Sequence, residues 1–106
     1  MGSVEPIQKI PVTVDFTGGA EFLVKSKTEK VMIPENFVLR DLLKHVRDNL
    51  VQDKSRINML LSADANEVAH GVIILINDTD VKLLSDYDTI LEKNDMITFV
   101  STLHGG

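Results

Sequence analysis

From Ile10 the chain alternates. Ile10, Val12, Val14 and Phe16 are separated by Pro11, Thr13 and Asp15, a period of two that sets one row of branched and aromatic side chains on a buried face. Pro11 suits such a strand only near its start or at a sheet edge. Thr17-Gly18-Gly19 interrupts the row and reads as a hairpin turn, with residues 20–24 as the returning strand and 29–33 as its continuation. Pro34-Glu35-Asn36 ends the extended run and offers Asn36 as a helix cap. Beyond it Val38, Leu39, Leu42, Leu43, Val46 and Leu50 recur at steps of three and four, with Arg40, Asp41, Lys44, Arg47 and Asp48 on the other side. That stripe predicts an amphipathic helix that a sheet must cover.

Residues 52–69 are mostly polar and read as a loop pinned to the core by Met59-Leu60-Leu61. Val72–Ile76 is an unbroken branched run, the pattern of a strand buried on both faces. Asn77-Asp78-Thr79-Asp80 turns the chain, residues 81–84 return it, 86–91 read as a short helical turn, and 95–102 alternate again through Ile97, Phe99 and Ser101. Strand, strand, helix, strand, short strand, strand is the order of an α+β domain in which one main helix covers a mixed sheet, and β-grasp is the specific candidate. The expected organisation is a flexible arm over 1–9, the β-grasp domain over 10–102, and a flexible tail over 103–106.

Composition narrows the chemistry. The 106 residues suit one domain, and a chain of this size buries roughly two-thirds of its unfolded surface, enough for a core without staples. There is no cysteine, so disulfides, thiolate metal sites and cysteine nucleophiles are excluded together. Eleven Lys and Arg stand against 16 Asp and Glu, and the net charge of −5 argues against tight binding to a nucleic-acid backbone. The longest apolar runs fall far short of the ~20 residues of a membrane span. Met1-Gly2-Ser3-Val4-Glu5-Pro6 lacks the basic and apolar regions of a secretory signal and carries Pro6 where myristoylation asks for Ser or Thr. A cytoplasmic monomer with protein partners is expected.

Few residues invite catalysis. His45 sits on the helix with no ligand partner at metal-binding spacing, and His70 marks a loop-to-strand junction; both read as local features. Asn77-Asp78-Thr79-Asp80 opens like a calcium loop, but Lys82 takes the next ligand position and no glycine or closing glutamate follows. Thr17-Gly18-Gly19 is too short for a phosphate cradle. No Ser or Thr shows a recognisable base and orienting acid, so no catalytic residue, metal or resident cofactor is assigned.

The ending is different. Gly105 and Gly106 contribute no packing and are costly to order. Such a pair, lacking Cβ atoms, can lie extended in a tunnel too narrow for other residues and bring a backbone carboxylate to a partner's active site. From Val100 to Gly106 the reach is at most ~20 Å.

Leu75-Ile76-Asn77-Asp78-Thr79-Asp80, then Asp86-Tyr87, then Phe99-Val100-Ser101-Thr102-Leu103-His104-Gly105-Gly106 resemble the ubiquitin-related modifier family of eukaryotes. Val14-Asp15-Phe16-Thr17-Gly18-Gly19-Ala20-Glu21 and Leu39-Arg40-Asp41-Leu42-Leu43 agree with it, and the resemblance spans residues 12–106. It implies a β-grasp sulfur carrier that is a substrate rather than an enzyme. A ubiquitin-activating-type enzyme with a sulfurtransferase domain would use its own ATP to adenylate Gly106 and then convert it to a thiocarboxylate. Sulfur would pass through a tRNA thiolase complex to the wobble uridine, and the chain would also be joined by isopeptide bonds to lysines of target proteins. Leu103, His104 and Gly105 would be the stretch read by the activating enzyme. Two other classes use the same fold: a non-covalent ubiquitin-like interaction domain, and the small subunit of a molybdopterin synthase-like enzyme.

Overall fold

The computed structural model describes residues 8–102. Five strands form one mixed sheet: β1 (Lys9–Thr17), β2 (Thr28–Pro34), β3 (Val72–Ile76), β4 (Thr79–Asp80) and β5 (Met96–Ser101), in the order β2-β1-β5-β3-β4. The central pair β1 and β5 is parallel, with Val14 opposite Ile97 and Phe16 opposite Phe99. The neighbours β2 and β3 run antiparallel to β1 and β5. Among the described residues one α-helix, α1 (Leu39–His45), lies across one face. This is the expected β-grasp arrangement.

Period-two patterning builds the core. Val12, Val14 and Phe16 of β1, Ile97 and Phe99 of β5, and Val72, Ile74 and Ile76 of β3 all point to the helix side and are buried. Leu39, Leu42 and Leu43 of α1 close over them with no exposure. Phe16 and Phe99 stack with ring centroids 5.1 Å apart and planes 21° apart, a geometry that adds to their burial.

Four expectations are corrected. Residues 20–24 are not a returning strand: Ala20–Leu23 is a 3₁₀ turn, and the partner of β1 is Thr28–Pro34. Ala20 and Leu23, three apart, share the buried side of that turn, an outcome an extended chain would deny them. Val72–Ile76 is buried on one face only, because a single helix covers a single side; Ile73 and Leu75 are half-buried on the other. Residues 81–84 do not return as a strand; β4 ends at Asp80 and Val81–Leu83 is a 3₁₀ turn whose start Asp80 caps through the Lys82 amide. Asn36 does not cap the helix: it adopts φ 67°, Val38 takes the cap position, and the Asp41 carboxylate accepts the Val38 amide at 3.1 Å.

The helical stripe is as long as expected but changes pitch. After His45 the turn Val46–Leu50 widens to a π-helix, closed by the Val51 amide donating to the Val46 carbonyl at 3.2 Å, and this lets Val46, Leu50 and Val51 all remain buried. In the following loop Lys54–Met59 forms a 3₁₀ helix, and Leu60 and Leu61 are buried while Met59 stays 52% exposed. The turn expected over 77–80 is confined to its first two residues: Asn77 and Asp78 both take positive φ, the conformation of a tight hairpin, while Thr79 and Asp80 already pair with β3 as β4. Below it Asn77 donates to Asp95 at 2.9 Å and accepts the Met96 amide at 2.9 Å, so the buried Asp95 ties this turn to the start of β5.

Candidate functional site

Leu103, His104, Gly105 and Gly106, the residues singled out by sequence, lie outside the described residues. What the fold does show is the point from which they leave. The strand that leads to them, β5, is the middle strand of the sheet, hydrogen-bonded to β1 on one side and β3 on the other. At its end the Gly71 carbonyl accepts both the Thr102 amide at 2.6 Å and the Thr102 hydroxyl at 2.7 Å. The chain is therefore gripped up to Thr102.

A second contact braces the same point from the β1 side. Gly18 takes φ +71°, and a Cβ added there would meet the Ser101 carbonyl oxygen at 2.4 Å, nearer than any real Cβ approaches. Only glycine lets the loop after β1 press against Ser101 in this way. Gly19 follows at φ +118°, with its amide donating to the Glu21 carboxylate at 2.6 Å. Sequence reasoning took Gly18-Gly19 for a plain hairpin turn; the positive φ was foreseeable from the glycines, their contact with Ser101 was not.

Beside this root lies a groove of about 930 Å³, walled by the Gly18-Gly19 loop, the 3₁₀ elements Ala20–Leu23 and Lys54–Met59, and Ala69 and His70 ahead of β3, with Ser101 on its lining. Phe22 points outward at 77% exposure, while Val12, Ile74 and Phe99 point inward. His70 is exposed on the groove's edge rather than being only a junction residue. His45 is half-buried on the helix with Nδ1 3.2 Å from the Asn49 side-chain amide, as a local feature should be. Carboxylates at this end of the sheet are already engaged: the Ser55 hydroxyl and amide hold the Asp53 carboxyl below its ordinary range, and Arg47 does the same to Asp48. On the open face of the sheet Met32, Met96, Ile73, Leu75 and Val100 form an apolar strip that α1 does not cover.

Among the described residues no group of three or more His, Cys, Asp or Glu could hold a metal ion, and no helix is long and apolar enough to cross a membrane. The arrangement offers a braced exit for a chain terminus, with surfaces on both sides of it.

Comparison with known proteins agrees with this geometry. A Caenorhabditis elegans ubiquitin-related modifier 1 homolog is 71% identical over 97 residues, covering 92% of this chain and 97% of that protein. The solution structure of Urm1 from Trypanosoma brucei superposes with a TM-score of 0.75 at 28% identity, covering 92% of this chain and 97% of its own. A Rurm1-related protein from Plasmodium yoelii shares the fold at a TM-score of 0.77 and 20% identity, covering 91% of this chain and all of its own. The family model described as Urm1 (Ubiquitin related modifier) matches residues 11–106, and the chain belongs to that family of ubiquitin-like modifiers.

Proposed function

We propose that this protein is a cytoplasmic sulfur carrier and protein modifier, a substrate of other enzymes rather than a catalyst. The observation that carries the reading is the brace on the central strand: Thr102 on Gly71 and Ser101 on Gly18 fix where a Leu103-His104-Gly105-Gly106 segment departs from the body. Family membership supplies the chemistry. A carboxylate oxygen of Gly106 attacks the α-phosphate of ATP held by the activating enzyme, pyrophosphate leaves, and the acyl adenylate forms. A persulfide of the partner's sulfurtransferase domain then displaces AMP, and a second thiol of that partner cleaves the acyl disulfide to leave the thiocarboxylate.

The thiocarboxylate is the form that a tRNA thiolase complex consumes at the wobble uridine, and the activated acyl group is the form that a target lysine attacks to give an isopeptide bond. The chain's part is positional. Gly105 and Gly106 keep the approach narrow, and Leu103 and His104 are the side chains presented at the mouth of the partner's tunnel. Having no cysteine, the carrier offers no thiol of its own to divert the persulfide.

Intact-mass analysis after incubation with the cognate activating enzyme, ATP and a sulfur donor tests this. The expected product has one oxygen replaced by sulfur, and Gly106→Ala is expected to fold normally yet fail to gain it. An unchanged mass in the unsubstituted protein refutes the carrier reading.

A further inference from the structure

Among the described residues the sheet has two edges of unequal kind. At one, β4 is only two residues long; at the other, β2 runs for seven, with an unbroken register and no proline before its last position. The direction of its backbone groups follows from the ladder. In the register of β1 with β2, Phe16 falls opposite Lys27 and Gln8 opposite Glu35, and both pairs are bonded: the Phe16 amide donates to the Lys27 carbonyl and the Glu35 amide to the Gln8 carbonyl, each at 2.9 Å. Alternation along an antiparallel pair therefore turns the amides and carbonyls of Glu29, Val31 and Ile33 toward β1, and those of Thr28, Lys30 and Met32 away from it. Pro11 agrees, since it lies opposite Met32 and its carbonyl accepts the Asn94 amide on the β5 side. No strand or loop among the described residues bonds the three outward pairs of groups. Thr28 and Lys30 are exposed, and Met32 is 53% exposed.

We infer that β2 takes up an extended segment of a partner protein as a further strand, one with an acidic residue opposite Lys30 and an apolar residue opposite Met32. A row of free amides and carbonyls at strand spacing is met in full only by another extended backbone. Side chains select which one. Val31 and Ile33 are buried on the helix side, so Thr28, Lys30 and Met32 project on the open face and Glu29 points away from Lys30. Asp15 shares the face of Lys30 but lies opposite Thr28, whose hydroxyl donates to it at 2.6 Å. Lys30 belongs to neither ion pair seen among the described residues. Its ammonium is left for a carboxylate directly across the new ladder, where opposite charges attract and like charges repel. A second copy suits the edge poorly for the same reason. A two-fold antiparallel pairing centred on Lys30 sets two ammoniums together, one centred on Glu29 sets two carboxylates together, and one centred on Val31 runs into Pro34, which has no amide to give. The lysine that guards this edge against its own kind thus favours an acidic guest.

The probe is the peptide acetyl-Thr-Val-Val-Asp-Lys-Thr-amide, which in antiparallel register sets its valines on Met32 and Val31, its aspartate on Lys30 and its lysine on Glu29. Titrated into the isotope-labelled full chain, it is expected to shift the amides of Thr28, Lys30 and Met32 and to slow their hydrogen exchange. N-methylating the aspartate, whose amide faces β2, is expected to abolish binding, while N-methylating the adjacent lysine, whose amide faces solvent, leaves it unchanged. Lys30→Pro removes one outward amide without touching the ladder to β1, and a loss of about tenfold in affinity is expected. Lys30→Glu is expected to reject this peptide and to accept one with lysine in place of the aspartate. Absence of shifts at millimolar peptide, shifts confined to strands other than β2, or affinity unaltered by methylating the aspartate amide overturns the proposal. A dimer in sedimentation that Lys30→Pro abolishes gives the edge to a second copy and overturns it as well. The sulfur-carrier reading is independent of these results and is decided by the mass measurement.

Discussion

Replacing Gly18 by alanine probes the brace at the tail root. Two costs arise. The residue sits at φ +71°, where an L side chain costs about 1–2 kcal/mol. Its new Cβ would also lie 2.4 Å from the Ser101 carbonyl oxygen and 3.3 Å from both the Ser101 nitrogen and Val100 Cγ1. The first of these neighbours is backbone of a strand held on both sides, so it cannot swing away, and relieving such an overlap costs about 1–3 kcal/mol. Stiffening of the unfolded chain returns about 0.4–1 kcal/mol. The expected net loss is about 2–4 kcal/mol, a large part of the stability of a small domain. Gly19→Ala is the comparison: φ +118° is strained for alanine, but its Cβ would find Ser101 Cβ at 3.8 Å, an ordinary contact. Urea unfolding measures both losses, and amide spectra report displacement of Ser101 and Thr102. The reasoning is refuted if Gly18→Ala loses no more stability than Gly19→Ala and leaves those two amides unmoved.

Phe99→Ala removes a fully buried ring stacked on Phe16; a loss of about 3–5 kcal/mol in urea unfolding is expected. Asp95→Ala orphans the Asn77 side-chain amide and the Glu92 amide, and thermal denaturation is expected to show a loss of about 1–3 kcal/mol. Asp53 has a folded pKa below its ordinary 3.8 because Ser55 donates to the ionised form. Its stabilising contribution is therefore complete above 3.8 and is lost as pH falls through the lower folded value, so Asp53→Asn is expected to flatten the acid limb of a pH–stability profile.

Much of this architecture was legible because burial imposes simple periods. Residues 10–16 and 95–102 were found from alternation, and the stripe from Val38 to Leu50 from steps of three and four, since each pattern has one face against one core. Failures fell where the pattern is too short to have a period. Ala20-Glu21-Phe22-Leu23 contains two buried positions three apart, and four residues cannot tell a 3₁₀ turn from a strand. Val72–Ile76 is apolar throughout, so composition could not reveal that one of its faces is uncovered. The tail residues announced themselves through Gly105 and Gly106, whose cost to order asks for a reason. The groove did not, because Phe22, Arg56, Met59 and His70 come together only through the packing of separate loops.

The parallel pairing of the first and last strands has a mechanical consequence. A load applied to the chain beyond Thr102 would be delivered along β5, whose hydrogen bonds to β1 and β3 lie across the pull and must fail together rather than one by one. Forced unfolding is governed by the rate of crossing the unfolding barrier. A domain pulled in this shear geometry would outlast one whose terminal strand could be unzipped from an edge.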